Sequence, residues 1–161
     1  MPTPAELRER LIRNFNDVPR ERFQRPPHYD GETASLSRGT AATQLGASFD
    51  IVAPGMMSCP YHFHHAEEEM FIVLQGEGTL RVAGERVPIR AGDVINIPAG
   101  PEYPHHIINT SAAPLHYLSI STQARPEICE YPDSGKVGAF GTGLRLLQRR
   151  EAGLDYWDGE P

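Results

Sequence analysis

A short stretch bounded by two glycines, residues 55–76, constrains this chain more than any other part of it. It contains the triplet His62-Phe63-His64, followed by Glu69 at the start of a run of β-forming residues. Side chains two positions apart on a strand point to the same face, so the two imidazoles can reach one point. Imidazole and carboxylate donors together suit divalent first-row metals. The stretch therefore predicts a metal site on a β scaffold, to which residues 92–109 add another histidine.

Short apolar runs separated by turns follow this stretch and precede it. The 161 residues contain 15 glycines and 15 prolines, which are spaced between these runs rather than clustered. Such a train of short strands and turns is typical of an antiparallel barrel or jelly roll. Strands are predicted over residues 36–45, 47–52, 70–74, 79–82, 86–89, 94–97, 105–109 and 115–121, and a strand or helical turn over 144–148. The predicted fold class is all-β, a small antiparallel β-barrel or jelly roll.

The two ends of the chain depart from this pattern. The sequence Thr3-Pro4-Ala5-Glu6 has the composition of a capping box, and apolar residues at helical spacing extend the predicted helix over residues 4–14. Residues 18–31 are rich in proline and charge and predict an extended arm, whereas residues 125–140 predict an ordered loop. The acidic, aromatic tail is predicted to be anchored on the barrel by Trp157.

One domain with three parts is the predicted organisation. The parts are an N-terminal helix and arm (1–35), the barrel core (36–125), and a C-terminal loop and tail packed on the barrel (126–161). A chain of this length can bury a sizeable core without further domains.

Composition excludes several classes of function. The net charge of −6 gives no support to nucleic-acid binding. No apolar run approaches the roughly 20 residues of a membrane span, and the polar N-terminus is not a secretory signal. Cys59 and Cys129 form no CxxC pair, which favours two free thiols in a reducing compartment. We expect a cytoplasmic protein whose partner is a small molecule, with no nucleic acid and no membrane.

The two histidine-containing stretches resemble the paired motifs of the cupin superfamily. The first family motif, G-x5-HxH-x3,4-E-x6-G, is matched by Gly55, His62, His64, Glu69 and Gly76, with one extra residue before the first histidine. Both motifs in order, at this separation, are a far more specific signal than HxH alone. Segments 126–136 and 155–160 further resemble a bacterial group of short single-domain cupins, mostly without an assigned reaction.

The second family motif, G-x5-PxG-x2-H-x3-N, is matched by Gly92, Pro98, Gly100, His105 and Asn109. Two more residues than the pattern allows lie between the second glycine and the histidine. This insertion is expected where the loop enters the barrel mouth.

The resemblance implies one divalent transition metal, iron, manganese, nickel or zinc, held by three histidines and one glutamate. The implied ligands are His62, His64, Glu69 and His105. His105 is preferred over His106 because only His105 keeps the HxxxN spacing. Cys59 is expected to be a small packing residue, with a ligand role as the less favoured alternative. The resemblance also implies a homodimer.

A metal-dependent enzyme acting on a small polar organic molecule is the first functional hypothesis. Dioxygenase, isomerase or epimerase, and lyase chemistry all occur on such sites in the family. The alternative is a non-catalytic module that binds a sugar or a carboxylate, and a third possibility is a metal that only stabilises the barrel. Beyond the implied ligands, the only candidate catalytic residues are Tyr103 and Lys136, both weakly supported.

Overall fold

The structure, a computed structural model, describes residues 1–151 and 153–161. Within these residues one α-helix precedes thirteen strands. The helix is α1 (Pro4–Leu11), and the strands are β1 (Glu21–Arg25), β2 (Tyr29–Ser35), β3 (Leu45–Val52), β4 (Phe63–His64), β5 (Glu69–Gln75), β6 (Glu77–Val82), β7 (Glu85–Arg90), β8 (Val94–Ile97), β9 (His105–Ile108), β10 (Leu115–Thr122), β11 (Glu127–Tyr131), β12 (Lys136–Gly141) and β13 (Leu144–Arg149).

The strands form three antiparallel sheets. Six strands pair in the order β1-β2-β3-β10-β5-β8, three in the order β7-β6-β9, and four in the order β13-β12-β11-β4. One hydrophobic cluster draws on both the six-stranded and the three-stranded sheet, so these two sheets pack against each other. This arrangement is a jelly roll and confirms the predicted all-β fold class. No helix among the described residues is long and apolar enough to cross a membrane.

The core lies between these two sheets and is formed by the alternate residues of each strand that point inward. Val52, Leu115 and Tyr117 are at most 3% exposed, and the two strands that carry them pair directly. Burying one aliphatic side chain of this kind stabilises the fold by roughly 1.5–3 kcal/mol. Asn109 of the second motif is also fully buried, and its amide donates to the carbonyl oxygens of Val52 and Ala113, both at 2.8 Å. Asn109 therefore fixes the turn that follows β9.

The helix prediction is confirmed at its start and too long at its end. Thr3 and Glu6 form the capping box, but the helix ends at Leu11 rather than at residue 14. Since none of its residues is buried, α1 depends on its cap and on a hydrogen bond from the Ala41 amide to the Arg10 carbonyl at 2.8 Å rather than on a buried face.

The extended arm predicted over residues 18–31 is instead a hairpin. Strands β1 and β2 pair, and β2 continues the main sheet beside β3. The ring of Phe23 lies directly over Gly31, where a Cβ atom would meet it at 2.6 Å. Arg22 also pairs with Asp30 at 3.0 Å. These contacts between residues eight apart explain why proline and charge did not prevent strand formation.

The C-terminal prediction is wrong in two respects. Residues 125–140 are not a loop, because β11 and β12 pair over five positions and β4 joins their sheet. The tail is not anchored on the barrel, since Trp157 is 72% exposed and its ring meets that of its neighbour Tyr156 edge-on. The strand predicted over residues 36–45 is likewise absent from the described structure up to Leu45, whereas the strand predicted over 144–148 is present as β13.

Candidate metal centre

The two halves of the candidate site are joined by the backbone. His62 immediately precedes the short strand β4, and His105 opens β9. The amide of His62 donates to the carbonyl of His105 at 3.1 Å, and the amide of His105 donates back at 2.7 Å. This reciprocal bridge places the two imidazoles with their ring centroids 4.8 Å apart.

Three imidazoles converge on one carboxylate oxygen, Oε2 of Glu69. The Nε2 atoms of His62, His64 and His105 lie 3.8, 3.6 and 2.9 Å from it. Glu69 opens β5, so its side chain reaches the site from the strand that follows the acidic turn. The structure therefore brings together all four residues that the motifs predicted as neighbours.

The opposite ring nitrogen of each histidine faces an oxygen atom. His62 Nδ1 lies 2.8 Å from the carbonyl oxygen of Pro60, and His105 Nδ1 lies 3.1 Å from that of Tyr103. His64 Nδ1 lies 3.3 Å from Oε1 of Glu127. Since a carbonyl oxygen can only accept, His62 and His105 carry their protons on Nδ1, and a carboxylate favours the same tautomer for His64. Each Nε2 lone pair is then directed toward Glu69, as in histidines that bind metals.

Two atoms at the centre of this cluster are buried without a hydrogen bond among the described residues. These are Oε2 of Glu69 and Nε2 of His105, which lie only 2.9 Å apart. Burial raises the pKa of Glu69, but the imidazoles of His105, His64 and His62, when they are protonated and therefore cationic, outweigh burial and lower the pKa. Glu69 is therefore charged at neutral pH. A divalent cation would satisfy both orphaned atoms, so the donor set fits a metal ion.

Two groups of donors could hold such an ion. In one, donor atoms of His62, Glu69 and His105 lie within 4.8 Å of one another. In the other, His62 and His64 are joined by Cys129 within the same distance. His62 belongs to both groups, so the two describe adjoining parts of one cluster.

Glu127, at the start of β11, supports this cluster from outside the two motifs. Its side chain is only 2% exposed. Besides contacting His64, the carboxylate accepts backbone N–H groups from His65, Ala66 and Glu67 at 3.0–3.1 Å. It therefore holds both an imidazole and the turn after β4. No sequence pattern indicates this role, because Glu127 lies in a segment predicted to be a loop.

The architecture and the cluster agree with a comparison against known families. The sequence profile of the Cupin domain family matches residues 48–121. The chain belongs to the cupin superfamily. The matched segment contains all four residues that converge in the cluster, whereas Glu127 lies beyond it.

Three known proteins illustrate which cupins this chain is similar to. A solved structure from Acidithiobacillus ferrooxidans, provisionally named a sugar phosphate isomerase, is 26% identical, with a TM-score of 0.81 over 92% of this chain and 97% of its own. Auxin-binding protein 1 of Arabidopsis thaliana is 31% identical over 133 residues, 76% of this chain and 64% of that protein. An oxalate-binding protein of Thermotoga maritima is 37% identical over 67 residues, 42% of this chain and 54% of its own. The chain thus spans less than two thirds of both curated relatives.

A cavity of about 230 Å³ adjoins the cluster in this cupin. Besides His62, Glu69 and His105, its wall includes the carboxyl group of Asp50 and the ring of Tyr117. Ser48 Oγ donates to the Asp50 carboxyl at 2.6 Å, but burial dominates and raises the pKa of Asp50. A carboxyl group with a raised pKa in a cavity is suited to proton transfer.

Asp50 does not stand out in the sequence because the polar face of its strand, and not the apolar face, points into the barrel. Phe49 and Ile51 alternate with Asp50, which suggests that the polar phase faces solvent. In the structure Phe49 lies on the outer face of the barrel, where the ring of Phe15 covers its ring with centroids 5.0 Å apart. The alternate position, Asp50, therefore faces the cavity. Only the position of the N-terminal segment could have revealed this orientation.

His106 is buried beside the site but lies outside both donor groups. Its ring packs edge-on against Tyr61, with centroids 5.4 Å apart, and its Nδ1 lies 3.2 Å from the carbonyl oxygen of Cys59. Burial lowers the pKa of His106, so the ring is neutral at neutral pH. The structure thus places His105, and not His106, beside His62 and Glu69.

The two weak catalytic candidates lie at the edge of the site. Tyr103 is 42% exposed. It contacts the site through its backbone carbonyl oxygen, which accepts a hydrogen bond from Nδ1 of His105. Lys136 Nζ lies 5.0 Å from the ring centroid of Tyr131, and that ring stacks on His62 at 6.1 Å. Neither side chain is among the described residues that line the cavity.

Proposed function

We propose that this protein is a metal-dependent enzyme that acts on a small polar organic molecule. His62, His64, Glu69 and His105 would hold one divalent transition metal, with iron, manganese, nickel and zinc as the candidates. The observation that carries the proposal is the convergence of three Nε2 atoms on Glu69 Oε2, each ring having an oxygen at its Nδ1. The unpartnered atoms of Glu69 and His105 support the same assignment.

Isomerase or epimerase chemistry is the reaction class we favour over lyase and dioxygenase chemistry. The A. ferrooxidans protein provisionally named a sugar phosphate isomerase is similar over nearly all of both chains. Isomerisation by proton transfer also needs a group that takes a proton from carbon and returns it. Asp50 is suited to this role because its carboxyl group lines the cavity and burial raises its pKa.

The bound ion would act as a Lewis acid that polarises a carbonyl or hydroxyl oxygen of the substrate. The chain itself would orient that substrate within the cavity of about 230 Å³, which favours a small molecule. Asp50 would hold the transferred proton at one carboxylate oxygen while Ser48 donates to the group. Tyr103 and Lys136 have weaker claims, since both lie away from the cavity wall.

A hydrogen-exchange screen tests the proposal. Protein loaded in turn with each of the four metals is incubated in D₂O with sugars, sugar phosphates and hydroxy acids, and NMR detects deuterium on carbon. We expect exchange or isomerisation of at least one compound, with loss of the reaction in His105→Ala and in Asp50→Asn. His116→Ala is the control that retains it, since the ring of His116 packs on Phe49 at the outside of the barrel. Turnover of no compound with any metal contradicts the enzyme proposal.

A non-catalytic carboxylate-binding protein is the second candidate function. It is favoured by the 37% identity with the T. maritima oxalate-binding protein, which spans 67 residues. Oxalate that raises the melting temperature of the metal-loaded protein, and is recovered unchanged after long incubation, would support this candidate. Oxalate that is consumed would return the assignment to an enzyme.

We also propose a homodimer in a reducing, cytoplasmic environment. Exposed apolar residues in and just after α1 support the dimer, namely Leu7, Leu11 and Ile12, and the two free cysteines support the reducing environment. Light scattering at micromolar concentration tests the dimer, and a monomeric mass contradicts it.

A further inference from the structure

Cys129 is the one donor of the cluster that neither motif contains. It lies in β11 directly opposite His64 of β4, in an antiparallel pair. Residues directly opposite each other in such a pair project to the same face, with Cβ atoms about 4.5–5.5 Å apart. The side chain of Cys129 is only 2% exposed, and its thiol is free.

The thiol is close to both histidines of the first motif. Cys129 Sγ, one ring nitrogen of His62 and one of His64 all lie within 4.8 Å of one another. Donor atoms around one tetrahedral zinc ion lie about 3.3–3.8 Å apart, given bonds of about 2.0–2.3 Å. Adjustments on the order of 1 Å would therefore bring these three atoms onto one ion.

We propose that Cys129 is a thiolate ligand of the metal centre, alongside His62 and His64. This inference rests on the proposed metal site and adds to it a donor from outside the barrel motifs. When the sulfur–metal bond forms, the thiol proton leaves to solvent and the ion gains one negative ligand.

Cys59, the other cysteine, does not have an equivalent position. Its Sγ lies 3.8 Å from Nδ1 of His62, but that nitrogen faces the carbonyl oxygen of Pro60 at 2.8 Å. The ring nitrogen beside Cys59 therefore carries a proton and cannot bind metal at the same time. In addition, Cys59 belongs to neither donor group. This cysteine is accordingly the matched control for Cys129.

A thiolate ligand changes which metals the site prefers. Sulfur donors favour zinc and similar borderline ions, whereas oxygen donors suit manganese. The cysteine therefore predicts that the wild-type protein binds Zn²⁺ and Co²⁺ more tightly, relative to Mn²⁺, than a variant that lacks Cys129.

Cobalt titration of the metal-free, full-length protein tests the proposal without any activity assay. Thiolate bound to Co²⁺ gives an intense charge-transfer band in the near ultraviolet. We expect this band in the wild type and in Cys59→Ser, and its absence in Cys129→Ser and Cys129→Ala. The Cys129 variants should also bind Co²⁺ at least about tenfold more weakly.

Each result decides the matter. Cobalt that binds to the wild type without the band, or a band that persists in a folded Cys129 variant, overturns the thiolate ligand while leaving the metal site intact. If both Cys129 variants are unfolded by circular dichroism, the spectra of the wild type and Cys59→Ser decide: the band in both supports the assignment, and its loss in Cys59→Ser overturns it. A wild-type protein that takes up no cobalt overturns this inference together with the proposed metal site.

Discussion

Glu127 Oε1 lies 3.3 Å from Nδ1 of His64, so a strand outside the matched cupin segment supports an imidazole inside it. The same carboxylate accepts three consecutive backbone N–H groups that follow β4. A carboxylate that orients a metal-binding imidazole and raises its basicity is a recurrent arrangement in metalloproteins. The C-terminal sheet is thus part of the candidate site and not an appendage to the barrel.

Replacing Glu127 should weaken metal binding. In Glu127→Gln we expect the affinity for Zn²⁺ to fall about 10- to 100-fold, because His64 loses its carboxylate partner. Competition with a chromogenic chelator measures this affinity. Glu130→Gln is the control, since Glu130 contacts His65 and Arg150 rather than a predicted ligand. Equal affinities in Glu127→Gln and the wild type would contradict the positioning role.

The two adjacent histidines of β9 should behave differently. Purified His105→Ala should contain almost no metal, because its Nε2 is the atom nearest to Glu69 Oε2. His106→Ala should keep about one ion per chain, since its ring contacts Tyr61 and the carbonyl of Cys59. Elemental analysis of both variants checks this. The reverse outcome would assign the ligand to His106.

The barrel could be inferred from the spacing of strands and turns, and the proximity of His62 and His64 from their HxH spacing, whereas their grouping with Glu69 and His105 depended on the resemblance to the paired cupin motifs. The HxH triplet fixes a shared strand face, and the turn residues fix where the strands end. Their role as ligands is still a prediction. Glu127 could not be found in this way, since its partners His65, Ala66 and Glu67 are 60 or more residues earlier in the chain.

Asp50 shows a second limit of sequence patterns. Alternation predicts that one phase of a strand is buried, but not which face the rest of the chain will cover. Phe49 is buried by the N-terminal segment rather than by the barrel interior. The residues of β3 that point into the barrel therefore include Ser48 and Asp50. The hairpin of β1 and β2 was missed for a similar reason, because contacts such as Phe23 over Gly31 exist only once the strands pair.

Burial of Asp50 should make the stability of the metal-free protein depend on pH. Its pKa is raised from 3.8 in the folded state, so the folded protein holds this proton more tightly than the unfolded chain. Stability is unaffected well below pH 3.8 and falls as pH rises through the folded pKa. Asp50→Asn removes this penalty, so its denaturation midpoint should exceed that of the wild type at pH 7.5 by more than at pH 4.

Asp30 provides a control of opposite sign. A hydrogen bond from Arg22 lowers the pKa of Asp30, so ionisation of this carboxyl favours folding. Asp30→Asn should therefore lower the denaturation midpoint at pH 7.5 or leave it unchanged. A midpoint for Asp50→Asn that lies below the wild type at pH 7.5 and matches it at pH 4 would contradict the buried, proton-holding role.

Metal saturation should stabilise the protein without being required for folding, since the hydrophobic cluster of the barrel contains none of the four predicted ligands. At 100 times the dissociation constant, binding to the native state alone adds about 2.7 kcal/mol. For a chain of this size that corresponds to roughly 5–11 °C in melting temperature. Thermal scans with and without chelator measure the shift. A metal-free protein that is already unfolded at 25 °C would show that the ion mainly stabilises the barrel.

The metal centre itself is tested most directly by elemental analysis of the protein purified without added metal, beside His62→Ala. His62 belongs to both donor groups, so its loss should disable the site whichever group binds. We predict about one iron, manganese, nickel or zinc ion per wild-type chain and almost none in the folded variant. A wild-type protein without metal, even after reconstitution with all four ions, would contradict the assignment.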